Sequence, residues 1–211
     1  MVKTFTTQWL YTFPWDQVVS GFWQKFPNPY TGHVLSEDTY YRTVTKDQVL
    51  ISKRLLAKTN KLPRWGERIF SRGAASTIGF IIEESICDLK SKIFTTSTIN
   101  INLKSLMTVE EKCVFHPDKT DESRTICEKT VSAQGELFGF KTTLETFAIQ
   151  RYKKNQELQS LGLEFILHKL YLPQLPPPPI TGIKTPDTRT FSRKISDKAK
   201  DFLKTSKNDT L

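Results

Sequence analysis

Two side chains able to hold a phosphate, Lys25 and His33, lie in one short stretch, Phe-Trp-Gln-Lys-Phe-Pro-Asn-Pro-Tyr-Thr-Gly-His-Val-Leu at 22–35. An ammonium and an imidazole are both donors that an anion can meet. The same stretch has a purely architectural reading. Pro27 and Pro29 forbid continuation of a helix and bias the residues before them toward extended geometry, and Gly32 lets the chain reverse. Further along, Lys58 and Lys61 bracket the end of a strand-like run. Arg151 and Asn155 fall four residues apart in the middle of an otherwise apolar helical stripe. Burying an unpaired guanidinium is costly. Arg151 therefore either pairs with a carboxylate of the sheet or lines a cavity that holds an anion, and the residues alone leave both open.

The segment 61–73 carries Leu62, Trp65 and Ile69 at helical spacing, Phe70 beside them, and Arg64 and Arg68 between. Such a loop is suited to a lipid interface, cations toward headgroups and aromatic and aliphatic side chains into the boundary. Gly66 and Gly73 would permit it to move. The alternative is a helix packed on the core with its arginines in water.

Catalytic chemistry finds no support. His33, His116 and His168 are scattered, and there is no His-Glu-x-x-His, Cys-x-x-Cys, phosphate-cradling glycine loop or nucleophile elbow. The neighbouring carboxylates Glu83/Glu84 and Glu110/Glu111 fall on strand-like runs, so each pair points to opposite faces. The expectation is a binding protein with no enzymatic activity, metal or cofactor. Cys87, Cys113 and Cys127 cannot close a disulfide framework. A hairpin centred near 120 would set Cys113 opposite Cys127, so either a bridge or buried thiols would fit there.

The elements that must position these groups follow from periodicity. The N-terminus, Met-Val-Lys-Thr-Phe-Thr-Thr-Gln-Trp-Leu, alternates as a strand, and it lacks the pattern of a secretory signal or a cleaved organelle presequence. Pro14, Trp15, Val18, Val19 and Phe22 recur as a short helix. Strand-like runs then occur at about 33–44, 48–58, 77–87, 91–101, 106–116 and 123–134. A long helix is expected over roughly 136–171, with Leu137, Phe140, Leu144, Phe147, Ala148, Leu158, Gly162, Phe165 and Ile166 on one stripe. The order predicts an α+β single domain, an antiparallel meander of about seven strands, twisted and curved, with a long C-terminal helix.

The 211 residues carry a net charge of +9, which favours an anionic partner. Residues 173–211 hold eight Lys/Arg against four Asp/Glu, leaving the body only mildly basic and weakening a nucleic-acid reading. That tail opens on a Pro-rich linker and ends in a basic stretch with Ile195, Ala199, Phe202 and Leu203 on one face. It reads either as a surface-seeking amphipathic helix or as a solvated tail.

Over residues 1–172 the chain resembles the PRELI family of mitochondrial intermembrane-space phospholipid-transfer proteins, most closely its animal members. The resemblance rests on Phe-Pro-Asn-Pro-Tyr and His-Val-Leu within 26–35, on Arg-Leu-Leu-x-Lys-Thr-Asn-Lys-Leu-Pro-Arg-Trp at 54–65, on Val-Glu-Glu at 109–111 and on Phe-Gly at 138–139. It implies a sheet curved around the long helix, similar to steroidogenic-acute-regulatory-type lipid binders. It implies transfer of phosphatidic acid from outer to inner mitochondrial membrane in support of cardiolipin synthesis. It also implies a heterodimer with a small twin Cys-x9-Cys helical-hairpin protein. By that resemblance the headgroup site is Lys25, His33, Lys58, Lys61, Arg151 and Asn155, and the membrane-contacting lid carries Leu62, Trp65, Ile69 and Phe70. Lys25 stands where some members have arginine, and Leu158 where some have a basic residue. Without the resemblance, an adaptor docking on an acidic lipid or protein surface fits the same basic rim.

Overall fold

The computed structural model describes residues 2–59, 78–102 and 104–171. Strand β1 (Lys3–Tyr11) alternates between half-buried and exposed side chains along its length, the signature of a strand with one face in water. Helix α1 (Trp15–Phe22) starts at Pro14, whose carbonyl accepts from Val18 N at 3.0 Å. Its buried face is Trp15, Val18, Val19 and Phe22. The meander β2 (Val34–Val44), β3 (Val49–Thr59), β4 (Ile78–Asp88), β5 (Ile93–Asn100), β6 (Met107–Pro117) and β7 (Thr125–Gly135) follows. Helix α2 (Lys141–Tyr171) ends the described chain.

All seven strands form one antiparallel sheet, in the order β1-β7-β6-β5-β4-β3-β2. The sequential meander therefore holds only from β2 onward. β1 joins β7, with Phe5 opposite Val131 and Trp9 opposite Cys127. The connection from one sheet edge to the other is α1, pinned to the inner face where Trp15 Nε1 donates to the Phe115 carbonyl at 3.1 Å. Having a helix to bury, the chain cannot turn straight from β1 into a hairpin.

Two expected local features are corrected. Pro117 pairs with Thr125, so the β6–β7 hairpin is centred at 121 and Cys113 faces Lys129 while Cys127 faces Phe115. The turn is set by Asp118 and Asp121, which accept from Thr120 N at 2.9 Å and Ser123 N at 3.0 Å. All three cysteines are free and buried. The long helix begins at Lys141 rather than 136, because Gly139 takes a φ of +80° just before it. Leu137 and Phe140 thus belong to the entering turn. Of the expected stripe, Leu144, Ala148, Gly162 and Ile166 are buried, and Tyr152, Leu163 and Leu167 join them.

The space between sheet and α2 is filled at one end and hollow at the other. At the filled end, Tyr11, Phe22, Phe94, Phe115, Leu163 and Leu167 interlock, with Phe22 and Phe94 rings 4.9 Å apart. At the other end the inner-face residues include Gly79, Thr98, Asn100 and Ala148. Side chains this short cannot bridge the ~10 Å between packed layers. The cavity follows from that choice of residues.

Candidate functional site

The hollow end encloses a cavity of about 220 Å³. Ile81, Leu106, Met107, Val109, Leu144, Phe147 and Ala148 make its apolar wall. His33, Lys58, Glu111, Arg151, Tyr152 and Asn155 make its polar pole.

Backbone pairing assembles the pole. Lys58 on β3 is registered against Val34 on β2, and Thr59 N donates to the His33 carbonyl at 2.8 Å. From α2, Arg151 Nη2 donates to the Thr59 carbonyl at 3.4 Å. The next residue, Tyr152, donates through its hydroxyl to Glu111 Oε1 on β6 at 2.8 Å. Three elements distant in sequence thus converge through the last residues of β3.

Burial dominates the electrostatics of the pole. Burial pushes the Lys58 ammonium down, Glu111 and Glu83 oppose that, and Arg151 and Arg54 add to it. Burial also lowers Arg151. His33 falls to about 4, through burial first and then through Lys58 and Arg151, so its ring is neutral at physiological pH. Among the described residues, no hydrogen bond or ion pair holds the Lys58 ammonium. Cations lowered by burial gain from an added negative charge, which favours their charged forms.

Lys25 lies one step away, in a second hollow of about 50 Å³ that shares Lys58, Thr98, Glu111 and Gln159 with the main cavity. Its ammonium sits 3.0 Å from Glu83 Oε2 and 3.5 Å from the Phe22 ring centroid. Glu83 also accepts from Arg54 Nε at 2.8 Å and from Arg54 Nη2, and Arg54 Nη1 reaches Glu37 at 2.9 Å. Burial alone would raise the Glu83 carboxyl, but Lys25 and Arg54 hold it below the usual range. Lys25 is thus engaged by a carboxylate within the protein, whereas His33, Lys58, Arg151 and Asn155 share the main cavity. Lys61 and the lid residues Leu62, Trp65, Ile69 and Phe70 lie outside the described residues, as does the tail from 172.

The proline turn is anchored more firmly than its sequence indicates. Asn28 Oδ1 accepts from Tyr30 N at 2.9 Å and Thr31 N at 3.1 Å, and its amide nitrogen donates to the Lys25 carbonyl. Gly162 of α2 makes room for it: a Cβ there would stand 2.7 Å from Asn28 Oδ1. The Phe26–Pro27 peptide is cis.

Sequence reasoning missed Arg54, Glu83, Glu111 and Lys129 as cavity-side charges. A signal existed. Arg54 shares an inner face with Ser52 and Leu56, Glu83 with Ser85 and Cys87, and Arg54 is directly opposite Glu83 in register. Two opposite charges at paired inward positions predict each other. Lys129 is buried and donates to Ser160 Oγ on α2.

Comparison with known proteins adds a family and a fold. Residues 16–172 match the model of the PRELI-like family. The chain is 40% identical over 201 residues to PRELI domain-containing protein 1, mitochondrial, of Bos taurus, covering 95% of this chain and 87% of that protein. It is 42% identical over 170 residues to the Homo sapiens protein of the same name, covering 81% and 77% respectively. It is 32% identical over 160 residues to Protein UPS1, mitochondrial, of Saccharomyces cerevisiae, covering 75% and 90%. Among solved structures, TTHA0849 from Thermus thermophilus superposes with a TM-score of 0.55 at 14% identity, over 80% of this chain and 99% of that one. The Zhui aromatase/cyclase from Streptomyces gives 0.53 at 8% identity, over 82% and 99%. Those two likenesses are of fold, a curved antiparallel sheet gripping a C-terminal helix.

Proposed function

The chain belongs to the PRELI-like family, and from that premise we propose that it carries phosphatidic acid between the outer and inner mitochondrial membranes, across the intermembrane space, in support of cardiolipin synthesis. The observation that carries this reading is the two-sided cavity between sheet and helix, one pole cationic and one wall apolar. The relatives named above are described as mitochondrial. The partner in this reading is a small twin Cys-x9-Cys helical-hairpin protein, and the docking surface is an anionic membrane.

In this mechanism the phosphomonoester enters the pole, where Lys58 and Arg151 supply charge-assisted hydrogen bonds and Asn155 a neutral one. His33 joins them by taking up a proton as the anion arrives. Lys25 and Lys61 complete the set, Lys25 by exchanging Glu83 for phosphate. The acyl chains take the apolar wall. Burial of chains is worth about 0.8 kcal/mol per CH₂ on leaving water, and nearly nothing on leaving a bilayer, so transfer is feasible where the cavity matches the bilayer's apolarity. At about 220 Å³ the cavity is smaller than the ~300–1,000 Å³ typical of ligand sites. Loading a two-chain lipid therefore requires the cavity to widen. Leu62, Trp65, Ile69 and Phe70 are the residues assigned to that opening.

The small volume also favours a second reading, an adaptor that docks on acidic surfaces without extracting lipid. Mass spectrometry of protein washed free of membrane decides between them. One anionic phospholipid per chain supports carriage, and its repeated absence supports docking alone. In the carrier reading, Arg151→Glu folds but no longer moves phosphatidic acid between liposomes. Wild-type transfer by that variant would remove Arg151 from the site.

A further inference from the structure

The end of the molecule that holds the cavity also presents an aromatic side chain with no structural role. Phe138 is 93% exposed, on the turn between β7 and α2. Gly139, at φ +80°, gives that turn its sharp reversal. Phe140 (39%) follows two residues on, and Ile101 (40%) is exposed at the start of the β5–β6 loop. The β7–α2 turn and the β5–β6 loop are tied together, since Glu136 N donates to the Leu106 carbonyl at 2.9 Å. Leu106 itself lines the cavity, as does Leu144 in the first turn of α2. Lys104 and Lys141 are exposed on the same two segments, and Glu136 is the one carboxylate on them.

We propose that the Phe138 turn is a membrane anchor that inserts into the interface of an anionic bilayer and seats the cavity mouth on the headgroups. Phe138 stands almost wholly in water at a turn apex, with Phe140 and Ile101 less exposed on the two tied segments. It suits a fluid boundary, where aromatic rings settle at headgroup level and lysines pair with lipid phosphates. The anchor is distinct from the segment 61–73. The described residues Thr59 and Ile78 pair with each other at this same end of the sheet. The inference rests on the lipid-carrier reading for its purpose, but insertion is tested without it.

The test places an environment-sensitive fluorophore on Phe138→Cys and, as control, on Glu122→Cys in the β6–β7 loop at the opposite end. The three native cysteines are no more than 8% exposed, so labelling reports on the introduced thiol. Vesicles of phosphatidylcholine with phosphatidylglycerol supply anionic surface without the proposed cargo. Expected are a blue shift at 138 and none at 122. Phe138→Ala in the full chain should lower vesicle partitioning by roughly tenfold, with co-purifying lipid unchanged. Lys104→Glu with Lys141→Glu should weaken binding to anionic vesicles and not to pure phosphatidylcholine. A water-like spectrum at 138 on sedimented protein, or no vesicle binding by wild type, overturns the anchor. A blue shift with no lipid co-purifying instead removes the carrier reading and leaves the anchor standing.

Discussion

The two polar groupings inside this protein use the same residue types to opposite ends. Around Glu83 the charges are closed on one another, with Lys25 and Arg54 on one carboxylate and Arg54 extended to Glu37. In the cavity, His33, Lys58 and Arg151 gather around a pole where Glu111 is the one lining carboxylate among the described residues. Where positive and negative groups are matched, burial is tolerated and the network fixes geometry. Burial lowers Lys25 in the first grouping as it lowers Lys58 in the second. But Lys25 has a carboxylate within hydrogen-bonding distance, whereas among the described residues Lys58 has none, so its site gains by admitting an anion. The difference lies in register. Arg54 and Glu83 are directly opposite across β3 and β4, whereas Gly79 is opposite Lys58, leaving that ammonium with no cross-strand partner.

Removing the shared carboxylate is the most severe way to break this contrast. Glu83→Gln strands the buried Lys25 ammonium and leaves Arg54 only Glu37, a loss of about 3–5 kcal/mol. At roughly 2–4 °C per kcal/mol for a chain of this size, thermal melting should fall by about 6–20 °C. A shift of a degree or two would mean that the network is not closed and that water or the cavity already serves Lys25 and Arg54. Next comes Lys58→Gln, which should leave the melting temperature nearly unchanged, because it removes a charge that burial already disfavours. Transfer of phosphatidic acid between liposomes should nonetheless fall by more than about tenfold, the value of one charge-assisted hydrogen bond. If Lys58→Gln unfolds the protein while Glu83→Gln does not, the roles of the two regions are reversed.

The fold was legible because strands with one wet face alternate visibly, and β2 to β7 fall within a residue or two of their expected spans. The placement of β1 was not, since alternation gives a strand but not its neighbour. The helix start was misplaced because Leu137 and Phe140 continue the apolar spacing, whereas backbone conformation at Gly139 decides the boundary. The cavity pole was partly legible: Arg151 and Asn155 stood out as polar groups on an apolar stripe. Glu83 and Glu111 did not, because each was judged with its sequence neighbour rather than with the strand opposite. Their partners, Lys25, Arg54 and Tyr152, are between 29 and 58 residues away in sequence, and no local window connects them.

The smallest effect sharpens the comparison through pH. His33 is held near 4, against an ordinary value of 6.5, by burial, Lys58 and Arg151. An unfolded chain therefore takes up the His33 proton near 6.5, while the folded chain resists until about 4. Between those values the unfolded state binds more protons, so the His33 contribution to stability is lost as pH falls through that window and is absent as a perturbation above it. Near pH 5.5 the loss is about 1 kcal/mol, and melting curves of His33→Gln should be flatter than wild type between about pH 4 and 6.5. An anion in the pole reverses the sign of the local field. With phosphatidic acid bound, His33 rises toward its ordinary value, a proton is taken up with the ligand, and affinity strengthens as pH drops from neutral toward about 5. Lipid-loaded and empty protein should thus diverge in pH dependence in the wild type and run parallel in His33→Gln. Parallel curves in the wild type would place the bound phosphate away from His33, and with it away from the β2–β3 edge of the cavity.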